Sequence, residues 1–250
     1  MNHPHAATRS RTTRRLALLA ALALPWAAAT MPARAEAVVG NGQAANESRP
    51  IGEFDSIGLS GSIGLHLRQG SPTALVVHAD ANLLPLLETV VEGAQLQVRW
   101  KHGTSLRTDS RTWVEVTAPQ VHAIASAGSG DITIDAMNVP RLALSLHGSG
   151  GVQAKGLQSD ELSLGLAGSN RVTLAGHAAR VSMNVSGSGG IEAADLRADD
   201  VRVSVAGSGN ASVNAARTLT VSIAGSGNVI YSGDPTVQRA IAGSGTIRKR

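Results

Sequence analysis

Acidic residues ahead of the glycine-rich turns are the first candidates for chemistry in this sequence. Asp160-Glu161, Asp195 and Asp199-Asp200 lie seven to twelve residues before the turn that follows each of them. Parallel β-helix enzymes that cleave polysaccharides place such carboxylates on one outer face, where they serve as acid and base. Here the acids do not recur in every copy, which is more typical of a solvated loop edge. We therefore expect no enzyme activity and no cofactor, with polysaccharide degradation as the alternative.

The glycine-rich turns also resemble loops that bind phosphate or calcium, but they lack the residues that such loops need. A P-loop needs Gly-Lys-Ser/Thr at the start of a helix, and a dinucleotide loop needs a third glycine that opens a helix. Calcium-binding repeats place an aspartate in successive turns, whereas Asp131 is the one aspartate directly after a turn here. We expect Asp131 to accept a local turn hydrogen bond. The six histidines beyond residue 35 have no metal-ligand spacing, so we expect no metal site.

These turns recur with a fixed period. Seven copies of Gly-Ser-Gly, one of them Gly-Ser-Asn, start at intervals of 20, 20, 19, 20, 18 and 18 residues, a period typical of stacked repeats. Glycine suits a corner that needs positive φ, and the intervening serines should form a ladder with hydroxyls facing neighbouring turns. The turn glycines are Gly128, Gly130, Gly148, Gly150, Gly168, Gly187, Gly189, Gly207, Gly209, Gly225, Gly227, Gly243 and Gly245.

Apolar residues alternate with small or polar ones on both sides of each turn. Leu142, Leu144 and Leu146 precede the second turn, Val152 and Ala154 follow it, and the alternation persists in later copies. Period two predicts a strand that enters and a strand that leaves each turn, each with one buried face. Since 18 to 20 residues can bury their apolar side chains only against neighbouring coils, we predict an all-β fold, a parallel β-helix-like solenoid with regular repeats from about residue 121.

The positions between these apolar residues predict an outward face of small side chains. A flat, nearly uncharged sheet surface can dock another protein or an extended polymer. Dense packing in a narrow solenoid is the structural alternative. The candidate binding residues on this face are Ser145, Ser163, Ser182, Ser204 and Ser222.

The first 35 residues are typical of an export signal peptide. Four arginines between residues 9 and 15 precede an apolar run over residues 16–24 that is too short to span a bilayer, and Ala33-Arg34-Ala35 suits cleavage. The Sec and twin-arginine routes both remain open. Cleavage leaves 17 basic and 18 acidic residues, so the basic pI of the whole chain does not indicate nucleic-acid binding. The chain has no cysteine, which excludes disulfides, and no second long apolar run that could span a membrane.

The region between the signal and the repeats is less regular. Residues 36–50 are rich in Gly, Asn and Ala and predict a flexible leader. Within residues 51–120, Pro85 interrupts an apolar stretch as a loop or a single helical turn, and Gly93-Ala94 separates two strand-like runs as a hairpin. We interpret this part as longer coils of one domain, residues 51–250, that close its N-terminal end.

Several segments together resemble a known family. They are "LSGSIGLHLRQGSPTALVVHADANLLPLLETVVEGAQLQVRW", "VEVTAPQVHAIASAGSGDITI", "SVAGSGNASV" and "SIAGSGNVIYSGDPTV". Over about residues 57–247 the chain resembles the putative auto-transporter adhesin, head GIN domain family. The resemblance implies a right-handed parallel β-helix-like fold in a secreted or cell-surface protein, with no established catalytic residues.

These observations predict a non-enzymatic exported protein that serves as an adhesion, protein-binding or structural module. The alternative is a polysaccharide-binding or polysaccharide-degrading β-helix protein. Expected partners are an envelope protein, a polysaccharide or a second copy of the chain, in the periplasm or at the cell surface. Arg248-Lys249-Arg250 would protect the open edge at the end of the solenoid.

Overall fold

The alternating pattern folds into strands almost throughout. The computed structural model describes residues 37–250, and the predicted signal peptide, residues 1–35, lies outside that range. The N-terminal strands are β1 (Val38–Val39), β2 (Ala44–Arg49), β3 (Ser56–Ser60), β4 (Ile63–Gln69), β5 (Ala74–Asp80), β6 (Leu87–Glu92), β7 (Gln95–Trp100), β8 (Leu106–Arg107) and β9 (Thr112–Ala118). The later strands are β10 (Ala123–Gly128), β11 (Ile132–Ile134), β12 (Met137–Asn138), β13 (Arg141–Gly148), β14 (Gly151–Gly168), β15 (Arg171–Gly187), β16 (Gly190–Gly207), β17 (Asn210–Gly225), β18 (Asn228–Ser232), β19 (Thr236–Gly243) and β20 (Thr246–Lys249).

The repeats form the predicted β-solenoid of about six turns. Strands β13 to β17 pair in parallel, each with the next, and β19 and β20 continue the two strand-bearing sides of the last coil. Corner glycines of consecutive coils are paired in register, as Gly148 with Gly168 and Gly168 with Gly187. The register shifts between Ala154 and Leu157, where the strand bends around the rod. The fold class predicted from the repeat period is therefore confirmed.

The interior consists of aliphatic columns that run along the solenoid axis. Leu144 pairs with Leu164, and the column continues through Met183, Val203 and Val221, all at most 1 % exposed. Burying a side chain of this size stabilises the fold by about 1.5–3 kcal/mol relative to leaving it exposed. The stack is therefore held together mainly by contacts between coils, since one coil alone could not cover these side chains.

The corners need glycine for two reasons. Gly168 has a φ of +112°, and a Cβ built on it would lie 2.2 Å from the carbonyl oxygen of Gly148 in the preceding coil. The backbone N–H of Ser169 donates to that same oxygen at 2.9 Å. The serine ladder therefore connects the coils through backbone N–H groups, whereas the prediction assigned this role to the hydroxyls. One hydroxyl pair does form across coils, at 2.8 Å between Ser62 and Ser129.

Asn170 replaces the second glycine in the third corner. It is 2 % exposed, and its Nδ2 donates to the carbonyl oxygen of Ala167 at 3.1 Å and to that of Leu146 at 3.4 Å. The larger residue thus points inwards and connects its own corner to the coil before it.

The N-terminal end contains antiparallel strands in addition to solenoid coils. Strands β3 and β4 stack in parallel on β10 and β11, and β7 and β9 stack in parallel on β3 and β4. Beyond them the direction reverses, because β6 pairs antiparallel with β7 through the predicted hairpin and β5 pairs antiparallel with β9. The interpretation of this region as longer coils alone was therefore incomplete. The stretch around Pro85 forms a single 3₁₀ turn, Leu84–Leu86, which is the second of the two predicted alternatives.

The prediction of a flexible leader over residues 36–50 was wrong for most of that stretch. β2 pairs antiparallel with β5, and β1 pairs with β8. Arg49 anchors β2, because its guanidinium donates to the carbonyl oxygens of Leu87 at 2.6 Å and Leu84 at 2.7 Å. The polar composition of this segment reflects an edge strand of the N-terminal end, strands β1 to β9, which we name the cap.

Candidate binding surfaces

The five predicted serines lie on one side of the solenoid, which we name the small-residue face (Ser145, Ser163, Ser182, Ser204 and Ser222). Ser163 pairs with Ser182 in one column, and Ser204 pairs with Ser222 in the next column. Ser145 belongs to the second column, three coils before Ser204. The structure therefore brings all five side chains to one surface.

This face is not entirely uncharged. Arg202 stands beside Ser182 in the first column and is exposed. Ser182 and Ser204 are half-buried, whereas the other three serines are exposed. The accessible surface is therefore a small-residue strip with one arginine in it.

The acids considered for polysaccharide chemistry form part of a charge ladder. Glu161 Oε2 lies 3.0 Å from Arg141 Nε, and its Oε1 lies 2.8 Å from Arg180 Nη2. One coil further, Asp200 Oδ2 lies 2.8 Å from Arg217 Nη2. Alternating charges from consecutive coils thus pair along one edge of the rod.

This pairing opposes a role in acid catalysis. The hydrogen bond from Arg180 and the positive charge of Arg141 hold the pKa of Glu161 below its ordinary value. A general acid near neutral pH needs a raised pKa. The ladder therefore supports coil stacking, as exposed ion pairs do weakly, better than it supports bond cleavage.

A cleft of about 790 Å³ lies between the end of the cap and the first Gly-Ser-Gly corner. We name it the tryptophan cleft, because Trp100 from β7 and Trp113 from β9 line it. Arg111, Thr112 and Asp131 also line the cleft. Its volume falls in the range of small-molecule binding sites.

Local contacts fix the two indole rings. Trp113 stacks on His78, with ring centroids 3.8 Å apart and planes 1° from parallel. Trp100 packs over Gly61, on which a Cβ would lie 3.2 Å from Trp100 Cδ1. Both rings remain partly exposed, so the cleft presents aromatic surface that is already oriented.

The loop of residues 101–111 forms one wall of the cleft, and contacts with β1 and Asp80 hold it in place. Strand β1 pairs with β8 inside this loop, and Thr108 Oγ1 donates to Asp80 Oδ2 at 2.7 Å. Asp80 is 1 % exposed. The polar side chains of Ser110 and Thr108 beside this carboxyl lower the pKa of Asp80, so it remains a carboxylate at neutral pH.

A shallow polar groove continues from the cleft along the solenoid. Asp131 borders both the cleft and the first part of the groove, and Asn210 borders that first part and the second. Asn228 Nδ2 donates to Asn210 Oδ1 at 3.0 Å, and Thr246 Oγ1 donates to Asn228 Oδ1 at 2.6 Å. The residues directly after the corners thus form a hydrogen-bonded ladder on this side.

The remaining predicted candidates have structural partners. Asp131 Oδ1 accepts a hydrogen bond from the backbone N–H of Gly151 at 3.0 Å, so it connects to the next coil and not to its own turn. His66 Nε2 lies 3.3 Å from Asp135 Oδ2. Within residues 37–250, no three His, Cys, Asp or Glu side chains converge as a metal site. No helix in that same part of the chain is long and apolar enough to cross a membrane.

Sequence reasoning missed the tryptophan cleft. Trp100 and Trp113 are 13 positions apart in a chain with only five aromatic residues, and that concentration was the available signal. It gave no indication that Gly61, between β3 and β4, would bring Trp100 next to the first corner, or that β4 would bring Trp113 there.

Comparisons with known proteins agree with this architecture. The sequence profile of the "putative auto-transporter adhesin, head GIN domain" family matches residues 53–235. A search of curated proteins finds no match. Among solved structures, a putative adhesin from Bacteroides fragilis is 25 % identical, with a TM-score of 0.80 over 85 % of this chain and 100 % of that one. A putative lipid-binding protein from Parabacteroides distasonis is 30 % identical, with a TM-score of 0.73 over 86 % of this chain and 100 % of that one.

Proposed function

Because this chain belongs to the putative auto-transporter adhesin, head GIN domain family, we propose that it is a non-enzymatic adhesion module that binds a partner protein at the envelope or cell surface. The small-residue face is the proposed contact. Its serines stand in register as two pairs on consecutive coils, Ser163 with Ser182 and Ser204 with Ser222. Together with Gly165 and Asn184 they form a strip of short side chains, in which Arg202 is the one long side chain. Short side chains lose little conformational entropy on contact, which favours docking of another sheet or an extended segment.

The predicted signal peptide also supports this proposal. The basic and apolar segments of residues 1–35 are typical of a signal peptide. We therefore propose that the module acts in the periplasm or outside the cell, where an envelope protein or a second copy of the chain is its partner.

Polysaccharide degradation has less support. Glu161 and Asp200, the acids in that hypothesis, are paired with arginines. Incubation of the protein with polysaccharides should release no new reducing ends. Release of reducing ends would contradict the non-enzymatic part of the proposal.

The test of the face is the double variant Ser204→Arg, Ser222→Arg. Two long charged side chains in one column should prevent docking without affecting the interior, because both positions point outwards. The matched control is His177→Arg, Ala216→Arg, which adds two arginines at exposed positions away from this face. Capture from envelope extract and sedimentation of the purified protein measure partner binding and self-association.

We expect the face variant to lose association and the control to keep it, while both retain the wild-type thermal midpoint. Equal association by both variants would remove the small-residue face from the proposal. Loss in both variants would indicate a general effect of added charge and would contradict the assignment to this face.

A further inference from the structure

We propose that the tryptophan cleft is a saccharide-binding site that receives pyranose rings. This surface is apart from the small-residue face, so the proposal goes beyond the protein contact described above and does not depend on it. A sugar ring presents C–H groups on its faces and hydroxyls around its rim. A complementary site therefore needs aromatic rings together with many short polar side chains.

The aromatic half of that requirement is present. Trp100 and Trp113 both line the cleft and are both partly exposed there. His78 covers one face of the Trp113 ring, and the remainder of the ring borders the cleft. Because packing already fixes both rings, binding would cost little side-chain entropy.

The polar half is present as well, because hydrogen-bonding side chains line the cleft together with the two rings. Arg111 is exposed at the cleft and forms no ion pair within the described part of the chain. Thr104, Ser110 and Thr133 add hydroxyls to the lining. This density of hydrogen-bonding groups fits a sugar better than an acyl chain, for which a pocket is lined mainly by apolar side chains.

The length of the site favours a chain of sugars. The polar groove continues from Asp131 past Ser149 to Asn210, and its amide and hydroxyl groups suit the rim of successive rings. The two tryptophans would hold one end of the chain, and the groove would align the rest along the rod.

The test uses the purified full-length protein with cellohexaose, chitohexaose and a peptidoglycan digest as probes in calorimetry. Thr133→Arg places a long charged side chain in the cleft from an exposed position on β11. Gln153→Arg is its matched control, because Gln153 pairs with Thr133 one coil on and lies outside the cleft lining. Trp113→Leu removes the stacking ring, with Tyr231→Leu as the aromatic control near the other end.

We expect at least one saccharide probe to bind. Trp113→Leu should weaken that binding by about tenfold, as the loss of one aromatic contact predicts. Thr133→Arg should weaken it more, and both controls should bind as the wild type does. Since Thr133 is exposed, Thr133→Arg keeps the test valid if Trp113→Leu fails to fold.

Three results would overturn the proposal. They are binding of none of the saccharide probes, saccharide binding that the cleft variants leave unchanged, and cleft-dependent binding of phosphatidylethanolamine–phosphatidylglycerol vesicles or an extended peptide in place of the sugars. Failure of the small-residue face variants would leave this result unaffected, because they change neither the cleft nor its lining.

Discussion

The corner at Gly168 allows the stacking mechanism to be tested by one methyl group. In Gly168→Ala the new Cβ would lie 2.2 Å from the carbonyl oxygen of Gly148, whereas ordinary contact begins at 3.4 Å. The coils must therefore separate locally by about 1.2 Å, the difference between those distances. That separation would break or stretch the bond from Ser169 N–H to Gly148, now 2.9 Å long.

The expected cost follows from these contacts. A non-glycine residue held at positive φ costs about 1–3 kcal/mol, and a lost backbone hydrogen bond about 1 kcal/mol. Reduced freedom of the unfolded chain returns about 0.4–1 kcal/mol. We expect Gly168→Ala to lower the free energy of unfolding by about 1–3.6 kcal/mol, equivalent to a thermal midpoint about 2–14 °C lower in a domain of this size.

Gly165→Ala is the matched control on the same strand. Gly165 points outwards, lacks positive φ, and has no atom within 4 Å of a built Cβ. We expect this variant to be neutral or slightly more stable. Urea unfolding followed by circular dichroism measures both midpoints and slopes. Equal midpoints for the two variants would refute the argument that close corner contacts determine the stack.

Two further predictions concern the ends of the solenoid. Asp80 has a lowered pKa in the fold, so its contribution to stability is present above about pH 4 and is lost as the pH falls further. The difference in thermal midpoint between wild type and Asp80→Asn should therefore be largest at neutral pH and become smaller in acid. A constant difference from pH 7 to pH 3 would contradict this linkage. At the other end, Ile241 is 41 % exposed on β19, and Arg239, Arg248 and Arg250 are exposed on the same last coil. Replacing these three arginines by serine should increase light scattering at neutral pH, whereas serine at the exposed Arg107, Arg171 and Arg197 should not, although the net charge changes equally. Equal scattering by the two triple variants would exclude protection of the edge.

The solenoid could be predicted from the sequence because its information is local and repeated. Leu144 and Leu164 occupy equivalent places in their copies, so the period alone implies their contact. The hairpin around Gly93 was predictable for the same reason, since its strands are separated by two residues.

The cap and the cleft depend on contacts between distant segments. Glu47 pairs with Val77 across 30 positions, and no periodicity marks that pairing. Trp113 approaches the first corner only because β4 lies between β9 and β11. Composition alone therefore suggested a flexible leader where a strand forms, and it could not locate the tryptophan cleft.

The in-register corners have a consequence for the length of the rod. Corner follows corner at 18, 19 or 20 residues, yet the glycines still align, so the number of rungs is independent of the exact size of each one. Excision of residues 169–187 would join Gly168 to Ser188 and restore a Gly-Ser-Gly sequence there. The chain would become one rung shorter, by about 4.8 Å, and duplication of the same cassette would lengthen it equally. Such changes would set the distance between the tryptophan cleft at one end of the solenoid and the last coil at the other.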